Sequence, residues 1–213
     1  LESAFERLSN CIADMRDTIS KTRMQRVDRL FMAIPRMVRD LSRELGKQIN
    51  LVLEGGDVEM DREMVEAVID PLTHIVRNSI DHGIESPEQR REAGKPEAGR
   101  LCVSAHQSGS QIVIEVSDDG RGINTEAVVN KVVSAGLMTR KDAAGLSEQA
   151  KMELIFTPGL STADQVTAIS GRGVGMDIVR ANIERIGGVI ALASEPGRGL
   201  TLTMRVPLHF FGG

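Results

Sequence analysis

Tryptophan and tyrosine are missing from the 213 residues, and only five phenylalanines are present. That excludes the aromatic platforms on which single-stranded nucleic acids stack. Lysine and arginine (26) do not outnumber aspartate and glutamate (30), and a formal charge of −4 offers no general attraction to a polyanion, so no nucleic-acid partner is expected. No apolar run approaches the roughly 20 residues that span a bilayer, and the first residues lack the apolar centre of a signal peptide. The two cysteines, Cys11 and Cys102, lie far apart without metal-ligand spacing and read as free thiols of a reducing, cytoplasmic compartment. What remains, 41% hydrophobic and 26% charged, is the composition of a soluble globular chain long enough for one domain and an appendage.

The apolar residues set out the elements. Leu1, Phe5, Leu8, Ile12, Met15 and Ile19 step by fours and threes, which predicts one helix to about residue 34 with a seam made for another helix. Pro35 interrupts it, and a helix resumes from Arg36 to Leu45, stopped by Gly46. A strand over Ile49–Leu53 leads to a helix from Arg62 to about Asp81, in which Pro71 either opens a fresh helix or bends a longer one. A short helix starts at Ser86-Pro87-Glu88, and Ala93–Gly99 reads as loop. Leu101, Val103 and Ala105, then Ile112, Ile114 and Val116, alternate as two strands of a hairpin turning at residues 107–110. Asn124 caps a helix to about Ala135. Residues 139–173 show weak periodicity apart from a short helix near Glu148–Ile155 and read as a mobile flap. A helix through Met176, Val179, Ile183 and Ile186 stops at Gly187-Gly188, and Val189–Ser194 and Leu200–Val206 close the chain as a hairpin. Such elements pack most economically as a two-layer α/β sandwich, a mixed, mostly antiparallel sheet with helices on one face.

Three clusters carry chemistry. His74 and Asn78 in DPLTHIVRNSIDHGIE are four apart and share a helix face, with Asp81 and His82 a turn further on. Asn78 offers a neutral, hard carbonyl oxygen suited to Mg²⁺ beside phosphates, and His74 could take a proton from a nucleophile. In DDGRG (118–122), Asp118 follows directly on a strand, where a carboxylate can accept from the exocyclic amine of adenine while Gly120 and Gly122 bring backbone against the base. Gly171, Gly173 and Gly175 of SGRGVG precede a helix, so free N–H groups and the positive dipole end face any anion there. No strand of a βαβ unit leads into this string, and the Gly-Lys-Ser/Thr ending of a Walker loop is absent, so neither nucleotide fingerprint applies.

From about Thr22 to Leu208 the chain resembles the catalytic ATP-binding domain of bacterial chemotaxis histidine kinases of the CheA type, within the superfamily that includes gyrase, Hsp90 and MutL and shares the Bergerat-type fold. The strings that carry it are TRM, PRMVRDLSRELGK, DPLTHIVRNSIDHGIE, SDDGRGI, IFTPGLST, SGRGVGMDIVRANIERIGG and PGRGLTLTMRVPL. The histidine before Asn78 is the most specific feature, because the gyrase, Hsp90 and MutL relatives have glutamate there.

The resemblance implies ATP and Mg²⁺ as cofactors and a role for each matched residue. Asn78 would hold the metal and His74 would act as base, with Arg77, Asp81 and His82 completing that wall. Asp118 would read adenine, with Gly120, Gly122 and Ile123 shaping its slot and Thr201 on the floor. Phe156, Ser161 and Thr162 would belong to a lid, and Gly171, Gly173, Gly175 and Met176 to its phosphate-facing hinge. Ala127 stands where family members often carry a basic residue, which leaves Lys131 as the nearest substitute. The implied activity is transfer of the ATP γ-phosphoryl group to a histidine on a phosphotransfer domain, in cis within a longer parent or in trans, with a response regulator downstream. A coupling protein and chemoreceptor would be reached through a domain that this chain lacks. Residues 1–28 would end a helical dimerisation segment of a homodimer, 29–208 would form the catalytic domain, and 209–213 a tail. The alternatives are a conformational ATPase of the gyrase or Hsp90 kind, with water as nucleophile, and a nucleotide-binding scaffold without kinase activity.

Overall fold

The computed structural model describes residues 2–160 and 175–209. The first helix is shorter than its periodicity suggests. Helix α1 (Glu2–Thr22) ends before strand β1 (Met24–Arg26), and α2 (Asp28–Phe31) and α3 (Ile34–Leu45) follow. The break is made by pairing: β1 lies antiparallel on β3 (Glu59–Asp61), and the Val27 N–H donates to the Val58 carbonyl at 2.7 Å. Three-residue strands carry no readable period, which is why the sequence hides them. Pro35 is not the break; it sits in the first turn of α3, where its missing N–H costs nothing.

Strand β2 (Ile49–Glu54) precedes β3, and α4 (Arg62–Asn78) then runs unbroken through Pro71 before loosening into a π-turn at Ser79–Gly83. After α5 (Pro87–Glu92) come β4 (Gly99–Ser108) and β5 (Gln111–Asp118), then α6 (Thr125–Ser134). The described part of the stretch expected as a flap, residues 139–160, holds regular structure. Helices α7 (Arg140–Ala144) and α8 (Glu148–Glu153), each capped by the side chain before it, lead to a 3₁₀ turn at Leu154–Phe156. Ala143, Met152, Leu154 and Phe156 are buried, so burial orders residues whose spacing is too irregular to announce a helix. Helix α9 (Met176–Arg185) and strands β6 (Val189–Glu195) and β7 (Gly199–Pro207) complete the chain.

The main sheet has the order β2-β4-β5-β7-β6, with β2 parallel to β4 and every other pair antiparallel. Period-two alternation sorts its faces. Leu101, Val103, Ile112, Ile114, Val116, Leu202, Met204 and Val206 are buried under the helices, while Ser104, Glu115, Ser117, Thr201 and Thr203 line the other face. Helices α3, α4 and α9 cover the buried face with Val38, Leu41, Val68, Leu72, Ile75, Val76, Val179 and Ile183. Burying each such side chain is worth roughly 1.5–3 kcal/mol. The result is the two-layer α/β sandwich that the patterning predicts. No helix among the described residues is long and apolar enough to cross a membrane.

Gly55 shows how tightly β2 sits. Its φ is +80°, and a Cβ there would fall on the carbonyl of Ala105. Gly46, at the end of α3, has φ +64° but open space around it. We therefore expect Gly55→Ala to lose about 2–4 kcal/mol in urea unfolding and Gly46→Ala only about 1 kcal/mol. Equal losses would show that the approach of the two backbones is not the constraint.

Candidate functional site

Helix α4 begins at Asp61, whose side chain accepts from the Glu63 N–H at 2.9 Å. From that fixed start the helical period places Ile75, Asn78, Ser79 and His82 on one stripe, and these four line a cavity of about 340 Å³. The opposite wall comes from the end of β5 and the turn after it: Asp118, Arg121, Gly122 and Ile123. Ala127, Val128 and Lys131 of α6, Thr157 and Leu160 of the approach to the flap, and Met176 and Asp177 of α9 close the rest. Leu200 and Leu202 of β7 form the floor.

Asp118 is 6% exposed. Its Oδ1 accepts the Gly120 N–H at 2.9 Å, while Oδ2 is buried and meets no hydrogen-bond donor. Burial raises this carboxyl above the ordinary aspartate range, and neighbouring Asp119 adds to the rise. The Gly120 N–H pulls the other way, as do the nearby Ser79 hydroxyl and Leu200 backbone, which approach the carboxylate without reaching hydrogen-bond geometry at Oδ2. A buried acceptor without a partner costs about 1–3 kcal/mol, and its place in a cavity wall fits it to receive an N–H donor from a ligand. The turn behind it is pinned. Gly122, at φ +72°, lies where a Cβ would meet the Glu195 carbonyl at 2.7 Å. The Ser194 hydroxyl accepts the Ile123 N–H at 2.8 Å and donates to the Gly199 carbonyl at 3.1 Å. Ile123, Val128, Leu200 and Leu202 give this part of the cavity an apolar lining beside the Asp118 carboxylate.

At the other end, the Asn78 side-chain nitrogen donates to the Met176 sulfur at 3.1 Å. That commits the nitrogen and leaves the carbonyl oxygen as the hard ligand atom. Burial lowers the His74 pKa, the positive charge of Arg77 lowers it further, and Asp70 opposes both. The imidazole is therefore neutral around pH 7.

Of the residues singled out in the sequence, Asn78, His82, Asp118, Gly122, Ile123, Lys131 and Met176 line the cavity together. His74 adjoins them, one helical turn before Asn78, without lining it. Arg77 does not join them: together with Thr73 it turns to a separate groove formed with Met32 and Arg36. Residues 77 and 78 are 100° apart on a helix, which is why adjacency in sequence misleads here. Asp81 is exposed, and it enters the structure through its carbonyl, which Lys47 Nζ bonds at 2.9 Å. Thr201 is not on the floor. Strand alternation turns it to the far face of the sheet, where it shares a hydrogen bond of 3.0 Å with Ser117, and Leu200 and Leu202 take the place expected of it. Phe156 is buried beneath Arg180, whose guanidinium carbon lies 5.0 Å from the ring centroid, and so ties the 3₁₀ turn to α9. Gly120 serves through its N–H, and Gly175 is the buried residue on which α9 starts. Ser161, Thr162, Gly171 and Gly173 lie outside the described residues. Sequence reasoning passed over Arg121, although it stands inside DDGRG, and the apolar slot, whose residues look like any other core.

The model of the family described as histidine kinase-, DNA gyrase B- and HSP90-like ATPases matches residues 67–209. The chain belongs to that family. Among curated relatives, it is 47% identical over 208 residues to the sensor histidine kinase CheAY of Helicobacter pylori. It is 43% identical over 208 residues to the chemotaxis protein CheA of Bacillus subtilis, and 44% over 208 residues to that of Salmonella typhimurium. Each match takes in 98% of this chain but only 26% or 31% of the relative, so the chain spans about a quarter to a third of their length. Among solved structures, the catalytic domain of the histidine kinase ThkA superposes with a TM-score of 0.54 at 16% identity, covering 87% of this chain and 94% of that one. That likeness establishes the shared fold.

The raised Asp118 pKa has a stability consequence of definite sign. The acid's folded pKa exceeds its unfolded value, so its contribution is fully present below about pH 3.9 and is lost as pH rises through the folded pKa. We expect Asp118→Asn to melt above the wild type at pH 8, with the gap narrowing as pH falls through that range. A gap independent of pH would mean that ionisation of Asp118 costs the fold nothing.

Proposed function

We propose that this chain is the ATP-binding catalytic domain of a chemotaxis-type protein-histidine kinase. It acts in the cytoplasm and transfers the γ-phosphoryl group of Mg·ATP to a histidine on a helical phosphotransfer domain, from which a response regulator is phosphorylated. The observation that carries this reading is the buried, partnerless Asp118 Oδ2 at the head of an apolar slot whose other end holds Asn78. A purine presenting an exocyclic amine completes that acceptor. The 43–47% identity to CheA proteins along nearly the whole chain supports the same reading.

Adenine enters between Ile123, Val128 and Leu202 and donates to Asp118. The triphosphate then runs toward Asn78, Lys131 and the start of α9 at Met176, where the positive end of the helix dipole favours an anion. Among the described residues no group of three His, Cys, Asp or Glu side chains could hold a metal alone. That donor set fits Mg²⁺, which keeps its waters and binds through substrate phosphates plus one or two protein oxygens, here Asn78 Oδ1. Magnesium supplies neutralisation of the charge shifting between phosphate oxygens. The protein's share is positioning, with His74 receiving or orienting the proton of the attacking imidazole. Ser161, Thr162, Gly171 and Gly173 are assigned to the flap over the phosphates from the sequence resemblance.

Residues 29–208 form the catalytic unit on this reading, and α1 belongs to a dimerisation segment. Phe5, Leu8, Ile12, Met15 and Ile19 along α1 are between 44% and 66% exposed, an apolar seam on the surface of the helix. A coupling protein and chemoreceptor would be contacted outside this chain. Sedimentation should show a concentration-dependent dimer that Leu8→Asp with Met15→Asp dissolves; a monomer at all concentrations would detach α1 from that role.

The decisive measurement is nucleotide titration with magnesium, followed by labelled-phosphate transfer to isolated histidine phosphotransfer domains. His74→Gln is expected to keep ATP affinity within about twofold while slowing transfer on the order of 10²- to 10⁴-fold. Because the His74 pKa is lowered, wild-type transfer should persist below pH 6.5 before protonation stops it. Transfer unchanged in His74→Gln removes the base role. Release of phosphate to water alone identifies a conformational ATPase, and absence of nucleotide binding overturns the whole reading.

A further inference from the structure

Beside the cavity lies a buried cluster of charges, none of whose side chains lines it. Arg90 is fully buried, and its guanidinium meets the Glu85 carboxylate at 2.9 Å, the Pro96 carbonyl at 2.6 Å, the Asp119 carbonyl at 3.2 Å and the Asp119 carboxylate at 3.1 Å. Lys95 Nζ meets the other Glu85 oxygen at 2.7 Å and donates to the carbonyls of Asp119 at 3.1 Å and Gly120 at 2.9 Å. The remaining Asp119 oxygen accepts the Arg100 N–H at 2.8 Å. Burial would raise the Glu85 carboxyl, yet the hydrogen bond from Lys95 and the charges of Lys95 and Arg90 hold it below the usual range, so it stays ionised between them.

Two cations are thus aimed at the two residues that directly follow Asp118. Stability alone does not call for this arrangement. Buried ion pairs recover their desolvation cost only with excellent geometry, and apolar side chains of similar volume often serve a fold as well or better. What this cluster fixes, and apolar packing would not, is the direction of successive carbonyls in one turn. The Gly120 N–H, on the same peptide as the Asp119 carbonyl that both cations bond, holds Asp118 Oδ1 and so sets where Oδ2 points.

We propose that Glu85, Arg90 and Lys95 are positioning residues for base selection, holding the turn at 118–120 so that Asp118 Oδ2 stays aimed at the exocyclic amine of a purine nucleotide. The proposal rests on the reading that Asp118 accepts that amine. It assigns the segment from Glu85 to Lys95, which does not line the cavity, a part in choosing the base.

The test compares ATP with purine riboside triphosphate, which carries hydrogen in place of the 6-amino group, by calorimetric titration with magnesium. The wild type should prefer ATP by roughly tenfold or more, and Asp118→Ala should abolish the preference. Lys95→Met is expected to bring ATP affinity down to that of the analogue while leaving the analogue within about twofold, and phosphotransfer should show a raised KM for ATP at nearly unchanged kcat. Asp119→Ala cuts other ties of the same turn, those of its 43% exposed carboxylate to Arg90 and to the Arg100 N–H, and it reads the proposal should Lys95→Met not fold. A wild type indifferent to the amine sinks the Asp118 reading and this proposal with it. A preference that Asp118→Ala removes but Lys95→Met and Asp119→Ala preserve overturns the positioning role alone. Equal losses for both nucleotides do the same, marking general damage to the pocket.

Discussion

The π-turn after α4 and the turn after β5 meet backbone to backbone, and the cavity exists because they do. A Cβ on Gly120 would fall on the carbonyl of Gly83, and a Cβ on Gly83 would stand 3.1 Å from Asp118 Oδ2. The Arg121 N–H closes the contact by donating to the Gly83 carbonyl at 2.9 Å. Helix layer and sheet layer are thereby locked at one point, so Asn78 and His82 face Asp118 across a fixed gap. On the other side of the π-turn, Lys47 bonds the carbonyls of Ile80 at 2.7 Å and Asp81 at 2.9 Å. A π-turn departs from the regular ladder, and such irregularities persist mainly where function needs a side chain re-aimed. Here it lets α4 present Asn78 within the helix and His82 just beyond it on one wall.

This joint is costly and is supported from elsewhere. Leaving Asp118 Oδ2 buried without a donor costs about 1–3 kcal/mol, and holding Arg90 and Glu85 out of water adds a desolvation penalty that their pairing must offset. The apolar layer carries the difference: Ile75, Val76, Ile80 and Ile84 on one side of the joint and Leu101, Val116 and Leu202 on the other are at most 3% exposed. A site that keeps a buried polar corner beside a well-packed core is the expected compromise between stability and readiness to bind.

The sequence made the core and the ends of the site legible unevenly. Strand alternation in β4, β5 and β7 and the stripe of α4 are strong periods, and they place the sheet, its buried face and the Asn78 wall correctly. Boundaries set by tertiary pairing were not legible, as at Thr22, where β1 ends the first helix by reaching β3, a partner more than thirty residues away. Residues whose direction depends on one step of a helix or strand were the other failure. Arg77 and Thr201 each belong to strings that mark the family, yet 100° of helix turn and the strand's alternation send them to other surfaces. The apolar slot was invisible because Val128 and Leu202 obey the same pattern as core residues. The buried salt bridges of Arg90 were equally hidden, since a run such as PEQRREAGKPE looks like a solvated surface until Arg90 is found with no exposure.

A histidine at position 74 fits the electrostatics of this wall better than a carboxylate would. On the proposed reading a triphosphate and its metal lie beside Asn78, and a second negative charge one turn away would repel phosphate oxygens at every stage. A neutral imidazole avoids that repulsion, and the His74 environment enforces neutrality: burial and the Arg77 charge both lower its pKa, against which Asp70 pulls only weakly enough to moderate the fall. Arg77, although turned to another groove, therefore acts on the site through charge rather than contact. On the same reading the acceptor would be an imidazole, arriving with a proton on one nitrogen and needing a modest base to orient and receive it. A neutral histidine matches that proton in basicity, whereas a carboxylate is suited to hold a water molecule. On the proposed reading, the residue four positions before Asn78 would thus favour transfer to a protein side chain over hydrolysis.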